Sequence, residues 1–385
     1  MVAHQIEKDL KNASWIRKMF EEGNRLRALY GAEDVYDFSL GNPDSDPPEA
    51  VLKAMERHIR GKAAHQYMPN AGFPDVRQKI AEKVSRGLPF PIAMDHIVMT
   101  VGAAGGMNAA LKALLDPGDE VIVLAPYFAE YLFYIRNHGG VPVVVSTDPD
   151  TFEPDAAAVA AAVTPRTKAL ILNNPNNPTG VVYSRTALHA LADALPETVC
   201  VLSDEPYSRL VYDEVEVPAV LGIFENALII DSFSKSLALP GERIGYIAVS
   251  PRCRDAELLI AALSFTNRVL GFVNAPSLMQ RAVADALDAA VDTGVYRERR
   301  DALHAIVTEA GFLCPMPMGA FYLFPRSPIP DDIAFVQKAA QHHILAVPGS
   351  GFGAPGYFRL AYCTGLDVIQ RSRDAFLRLG AEYRK

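Results

Sequence analysis

Lys235 lies in the stretch SFSKSLALPGERIGY (232–246), among the hydroxyls of Ser232, Ser234 and Ser236, with Arg243 following a Pro-Gly break. Apolar runs on both sides place it between two strands. A lysine so placed has three roles open to it: salt-bridge partner, phosphate grip or nucleophile. Asp204, in SDEPYSRL (203–210), ends another apolar run, and Tyr207 follows three residues later. An aspartate there is more often a cap or turn residue, but the run DEPY brings an acid and a phenol to the same edge as Lys235. NNPNNPTG (173–180) carries two Asn-Pro pairs, which make a rigid turn able to hold the Asn177 side chain still as a hydrogen-bond donor. Arg359 sits in the alternating run YFRLAY. On an open face such an arginine is solvated or stacked; inside a cleft its planar fork suits a carboxylate. Gly102, Ala103 and Ala104 turn from a strand into a helix, where free N–H groups and the helix dipole favour an anion. A glycine at that position is more often only a turn.

The elements that must position these residues are legible as an alternation. HIVMT (96–100), VIVLA (121–125), VPVVVS (141–146), KALILN (168–173), VCVLS (199–203), ALIID (227–231) and GYIAVS (245–250) read as strands, and AAGGMNAALKALL (103–115) as a helix. Most are continuous apolar runs, as expected of a parallel sheet covered on both faces. Strand–helix alternation of this length predicts a doubly wound α/β domain. Further on, helical patterns such as AELLIAALSF and MQRAVADALDAAV lead to the strand-like AFYLFP (320–325) and YFRLAYC (357–363). These predict a smaller α+β domain. The expected division is an N-terminal arm and helix joining the small domain over 1–45, a large domain over 46–275 and a small C-terminal domain over 276–385. In open α/β sheets ligands bind beyond the carboxyl ends of the strands. Polar, aromatic and glycine-rich segments follow five of these strands, which gives one site rather than scattered motifs.

Composition narrows the function classes. The chain has 385 residues, half of them hydrophobic, and a net charge of −8. At about 100–200 residues per domain this is two domains with ample core. The negative balance counts against nucleic-acid binding and an anionic membrane surface. The first residues lack the apolar core of a secretory signal, and no apolar run reaches the roughly 18 residues that span a bilayer. Cys200, Cys253, Cys314 and Cys363 form no CxxC pair, and the histidines show no metal-ligand spacing. The expectation is reduced thiols, no metal and a cytoplasmic location. GSGFGA (349–354) fits a dinucleotide-binding fingerprint, but Pro355-Gly356 and a strand-like run follow it where that fingerprint needs a helix.

Taken together, HQYMPNAG, TVGAAGG, DPGDEVIVLAPYF, NNPNNPTG, SDEPYSRL, SFSKSLALPGERIGY and YFRLAYC resemble the class I/II aminotransferases, fold-type I enzymes that use pyridoxal 5′-phosphate. The likeness runs from about residue 35 to 365, in the family's order. It implies that Lys235 is the Schiff-base lysine and proton carrier, and that Asp204 pairs with the pyridine nitrogen. It implies that Tyr207 and Asn177 donate to the ring hydroxyl oxygen, and that Phe128 stacks on the ring where relatives often carry tryptophan. Ser232, Ser234 and Arg243 correspond to phosphate ligands, with Gly102, Ala103 and Ala104 at the helix start and Tyr67 reaching in from a partner subunit. Arg359, with Gly41 and Asn177, corresponds to the group that binds the substrate α-carboxylate. The implied protein is a homodimer with amino acid and 2-oxo acid substrates. Position 104 departs from one aspartate-specific bacterial subgroup, which carries lysine there. Arg268 lies near another subgroup's side-chain-binding arginine, but a surface or interface arginine is the plainer reading.

The same residues leave other reactions open. A carbon–sulfur β-lyase keeps the cofactor and changes the chemistry; product formed from amino acid alone, with no oxo acid, distinguishes it. A regulator that has lost catalysis usually carries a fused DNA-binding domain, which the short N-terminal segment and the charge disfavour. A nicotinamide oxidoreductase rests on GSGFGA alone.

Overall fold

The computed structural model describes residues 1–12 and 15–384; positions 13, 14 and 385, which fall in the expected arm and C-terminal domain, lie outside the described residues. Twelve strands are labelled in chain order: β1 (Tyr36–Asp37), β2 (Ile97–Thr100), β3 (Glu120–Ala125), β4 (Val141–Ser146), β5 (Thr167–Asn173), β6 (Cys200–Asp204), β7 (Ala227–Ser232), β8 (Gly245–Val249), β9 (Tyr322–Leu323), β10 (Ile344–Leu345), β11 (Val347–Pro348) and β12 (Phe358–Ala361). Seven of them form one sheet in the order β2-β8-β7-β6-β5-β3-β4. Every pairing is parallel except those of β8, which runs antiparallel to β2 and β7.

The continuous apolar runs follow from pleating. Successive side chains of a strand point to opposite faces, so Leu170, Leu172, Val201 and Ile229 enter one buried cluster while Ala169, Ile171, Leu202, Leu228 and Ile230 enter another. Each fully buried aliphatic side chain contributes about 1.5–3 kcal/mol, so both faces of these strands favour the same register. The edge strand β4 is different. Val141 and Val144 are exposed there, because β4 is the last strand of the sheet and pairs on one side only. Fully covered faces are therefore a property of the inner strands.

The second unit is built on the antiparallel β11-β12-β9 sheet, with β1 pairing parallel to β10 beside it. The N-terminal segment thus docks on the C-terminal part of the chain. The expected strands 320–325 and 357–363 shrink to Tyr322–Leu323 and Phe358–Ala361. The helix read across 279–291 runs instead over Ser277–Asp285. Its Met279, Ala282 and Val283 share a core with the helix Glu49–Ile59 and the large sheet, as do Ala286 and Leu287. The second core takes up Val291 and residues after it, together with Met19, Phe38, Tyr207, Leu210, Tyr212 and Ala238 from earlier in the chain. Residues just beyond the expected boundary at 275, as far as Leu287, thus pack with the large sheet. GSGFGA is a single turn between β11 and β12, not a helix start.

One close approach ties the sheet to the loops at its end. A Cβ on Gly245 would overlap Asp231 O and lie 3.0 Å from Gly102 Cα. Gly245→Ala should lower stability by about 1–3 kcal/mol through overpacking against backbone. The urea unfolding midpoint measures it; an unchanged midpoint would mean that the strands separate here at no cost.

Candidate active site

Five segments converge beyond the strand ends of the large sheet around a cavity of about 310 Å³. The end of β6 brings Asp204, the end of β7 brings Ser232 and the turn after it Ser234 and Lys235, and the loop after β5 brings Asn177. The segment after β3 brings Phe128, and the helix Gly102–Leu114 brings Ala103 and Ala104. Gly41, Tyr207, Arg243 and Arg359 line the same space.

Asp204 is the buried acid. Tyr131 donates its hydroxyl to Asp204 Oδ2. The other oxygen, Oδ1, is buried and has no hydrogen-bond partner. Burial raises its carboxyl to about 7; the Tyr131 hydrogen bond acts the other way, and Asp231 adds a smaller upward push. A buried carboxylate oxygen without a donor costs stability unless a donor is supplied.

Lys235 donates from Nζ to Gly41 O at 2.8 Å, and Nζ lies 5.4 Å from the centre of the Phe321 ring. Burial lowers its ammonium to about 8, and the cations of Arg359 and Arg243 push the same way. An amine with such a value is neutral in an appreciable fraction near neutral pH, as a nucleophile or proton carrier requires. No ion pair holds Lys235 among the described residues, which removes the salt-bridge role.

Arg359 is 2% exposed. Nη1 donates to Asn177 Oδ1 at 3.1 Å and Nη2 to Ser39 O at 2.8 Å, while Nε is buried without a partner. Among the described residues no carboxylate pairs with it. A buried guanidinium lacking an anion is costly, and a carboxylate guest would supply the missing charge. Because Asn177 accepts through Oδ1, its Nδ2 is the atom left to donate into the cavity. The loop holding it is rigid: Asn173 Oδ1 accepts Asn177 N at 2.7 Å, and Asn173 Nδ2 donates to Asp204 O at 2.9 Å.

The other end of the cavity suits an anion. Gly102 adopts φ +69°, and a Cβ there would meet Arg243 Nη2 at 2.9 Å. Arg243 itself has φ 51°, a left-handed conformation that costs a non-glycine residue about 1–3 kcal/mol. Its Nη1 donates to Pro240 O at 3.0 Å. Ser232 and Ser234 have hydroxyls 2.6 Å apart. The helix beginning at Gly102 has no side-chain cap, so its first N–H groups face this end unclaimed by a cap.

Two expected residues stand apart from the cavity. Tyr67 is 91% exposed and does not line it within its own chain. Arg268 is also exposed, resting over the Phe265 ring. Among the lining residues that sequence reasoning missed are Tyr131 and Tyr322. Tyr131 follows Phe128 by three residues, one helical turn, and that spacing was the available signal. Tyr322 comes from β9 in the small sheet and bonds Tyr207 across 2.9 Å; nothing near it in sequence marks it.

Among the described residues no group of three or more His, Cys, Asp and Glu side chains is placed to hold a metal. No helix among them is long and apolar enough to cross a membrane.

Known proteins match the chain over nearly its whole length. The sequence model of the family "Aminotransferase class I and II" covers residues 33–370. A probable aspartate/prephenate aminotransferase of Thermus aquaticus is 36% identical over 350 residues, 89% of this chain and 91% of that protein. The aspartate/prephenate aminotransferase of Thermus thermophilus is 36% identical over 359 residues, covering 90% and 91%. A solved aminotransferase from Eubacterium rectale superposes with a TM-score of 0.96 at 36% identity, covering 100% of both chains. The aspartate aminotransferase of Thermus thermophilus with maleate superposes at 0.87 with 32% identity, covering 95% and 97%. The doubly wound sheet, the cavity at its strand ends and these matches agree: the chain belongs to the class I and II aminotransferases and is a transferase of amino groups.

Proposed function

We propose that the chain binds pyridoxal 5′-phosphate and exchanges an amino group between an L-amino acid and a 2-oxo acid, as a cytoplasmic homodimer. The observation that carries this reading is unbalanced buried charge in one cavity. Asp204 Oδ1 lacks a donor, and Arg359 lacks an anion. A protonated pyridine nitrogen meets the first need and a substrate carboxylate the second.

The residues fit the cofactor. When bound, pyridoxal phosphate supplies a protonated ring that draws electrons away from the substrate Cα. Asp204 would hold the ring nitrogen, since a carboxylate favours the charged form of a neighbouring base. Tyr207 and Asn177 Nδ2 would donate to the ring hydroxyl oxygen, and Phe128 would cover a ring face. Arg243, Ser232, Ser234 and the N–H groups from Gly102 to Ala104 would grip the phosphate. Charge-assisted bonds of about 1.5–3 kcal/mol each make that a firm anchor. The exposure of Tyr67 supports its reaching the phosphate of a partner subunit.

Lys235 does the proton work. Its amine takes the proton from the substrate Cα and returns it, which its lowered ammonium value permits. Arg359 and the Gly41 N–H orient the α-carboxylate so that Cα faces Lys235. The phenyl and phenol rings around Lys235 exclude water. The relatives' names support aspartate as amino donor and prephenate as acceptor. The cations lining this chain's cavity are Lys235, Arg243 and Arg359, and position 104 is alanine. A second substrate carboxylate must therefore be met by neutral donors or by the partner subunit. We also propose domains over about 46–287 and 288–385, with residues 1–45 joining the latter.

Four measurements test this reading. Borohydride added to the yellow protein should fix the cofactor to the peptide containing Lys235, and Lys235→Ala should keep the fold while abolishing turnover; label elsewhere, or normal turnover, defeats it. In cofactor-free protein, acylation of Lys235 should rise with pH through a midpoint near 8, because only the neutral amine reacts; a midpoint typical of exposed lysines would contradict the geometry. Arg359→Lys should raise KM for the amino acid about tenfold or more, from loss of a bidentate charged contact.

A further inference from the structure

Tyr322 joins three groups of the site that come from different parts of the chain. Its hydroxyl lies 2.9 Å from that of Tyr207. The Arg359 guanidinium sits over its ring, 4.5 Å from the centroid. Its hydroxyl and ring edge fill the space that a Cβ on Gly41 would need. The side chain is 2% exposed and lines the cavity. It is carried by β9 of the three-stranded sheet, whereas Tyr207 follows β6 of the seven-stranded one.

Two phenols in contact place one hydrogen between their oxygens, and the stronger acid is the better donor. A cation over the face of a ring stabilises the phenolate and so strengthens the acid. Burial raises both phenols. Tyr322 rises to about 12 with Arg359 opposing the rise. Tyr207 is pushed well above the usual value by burial and then by Tyr322 itself, with Arg359 a weaker influence. The cation lies over the Tyr322 ring, and that geometry favours Tyr322 as the donor to Tyr207. With its oxygen occupied as acceptor, Tyr207 has its own proton free to turn into the cavity. In the opposite arrangement Tyr207 would spend its proton on Tyr322 and offer the cavity a lone pair only.

We propose that Tyr322 is a positioning residue: braced under Arg359, it donates to Tyr207 and thereby aims the Tyr207 proton at the ring oxygen of the cofactor. The inference rests on pyridoxal phosphate binding as proposed above. It assigns the small sheet a part in the cofactor's protonation as well as in substrate binding.

The variant Tyr322→Phe keeps the ring beneath Arg359 and removes only the hydroxyl. The readout is the pH titration of the visible absorbance of the cofactor-loaded protein, without substrate. Donation from Tyr207 favours the deprotonated form, so Tyr322→Phe should raise the apparent pKa by about half a unit or more. Tyr207→Phe should raise it further. Adding Tyr322→Phe to Tyr207→Phe should change nothing more, because the first acts through the second. A Tyr322→Phe titration that overlays the wild type overturns the proposal, as does an equal shift that survives in the Tyr207→Phe background. A wild-type protein that gains no visible band with added pyridoxal phosphate overturns the cofactor reading and this proposal together.

Discussion

Asp204 is buried with one oxygen held by Tyr131 and the other held by nothing, and much of the architecture serves to keep it so. A flexible carboxylate would turn to water or find a second donor. This one sits on the last residue of an inner strand, with neighbours on both sides in register. Asn173, its partner across β5, spends its own amide on the Asp204 carbonyl and on the loop that carries Asn177. Both faces of the inner strands are apolar, so polar chemistry can collect only where the strands end. The unmet oxygen is thus a consequence of a stiff sheet whose edge has been made polar.

Pleating then separates this acid from two others close by. Asp204 faces the cavity, while Glu205 and Asp231 are tied up by Ser203 and by Tyr246 with Ser232 N. Burial raises Glu205 to about 8 and Asp231 to about 6. Each has donors from the chain, so neither calls for a guest. Burial alone does not mark a site. A buried acid whose donors are incomplete and which borders open space does.

How much of this the sequence displays follows from where each residue sits. Lys235, Asp204 and Arg243 are legible because they stand next to apolar runs that can only be inner strands, and Arg359 because it interrupts one. The strands themselves are legible to within a residue or so for the same reason. Tyr322 is not, since β9 is two residues long and its place depends on pairing with β12, far away in sequence. The packing partner of the helix Ser277–Asp285 is not legible either, since that helix is as amphipathic as those of the small unit. Its apolar face is claimed by the helix Glu49–Ile59, a contact between segments more than two hundred residues apart. Exposure on β4 is hidden likewise: an edge strand and an inner strand of valines read alike until the neighbours are known.

The two arginines show why the chain needs two cores. Arg243 belongs with the large sheet, close against Gly102, and Arg359 is carried by β12 of the small one. An anion at each end of one guest therefore bridges the two units. The Tyr207–Tyr322 pair crosses the same divide, and so does the hydrogen bond from Arg359 to Asn177. Lys235 lies between, its ammonium disfavoured by burial and by both arginines at once. Either arginine moved away would let the lysine hold its proton more firmly. Burial is the largest cause of the lowered value and the two cations add to it, so a guest that places an anion against each arginine offsets part of that push.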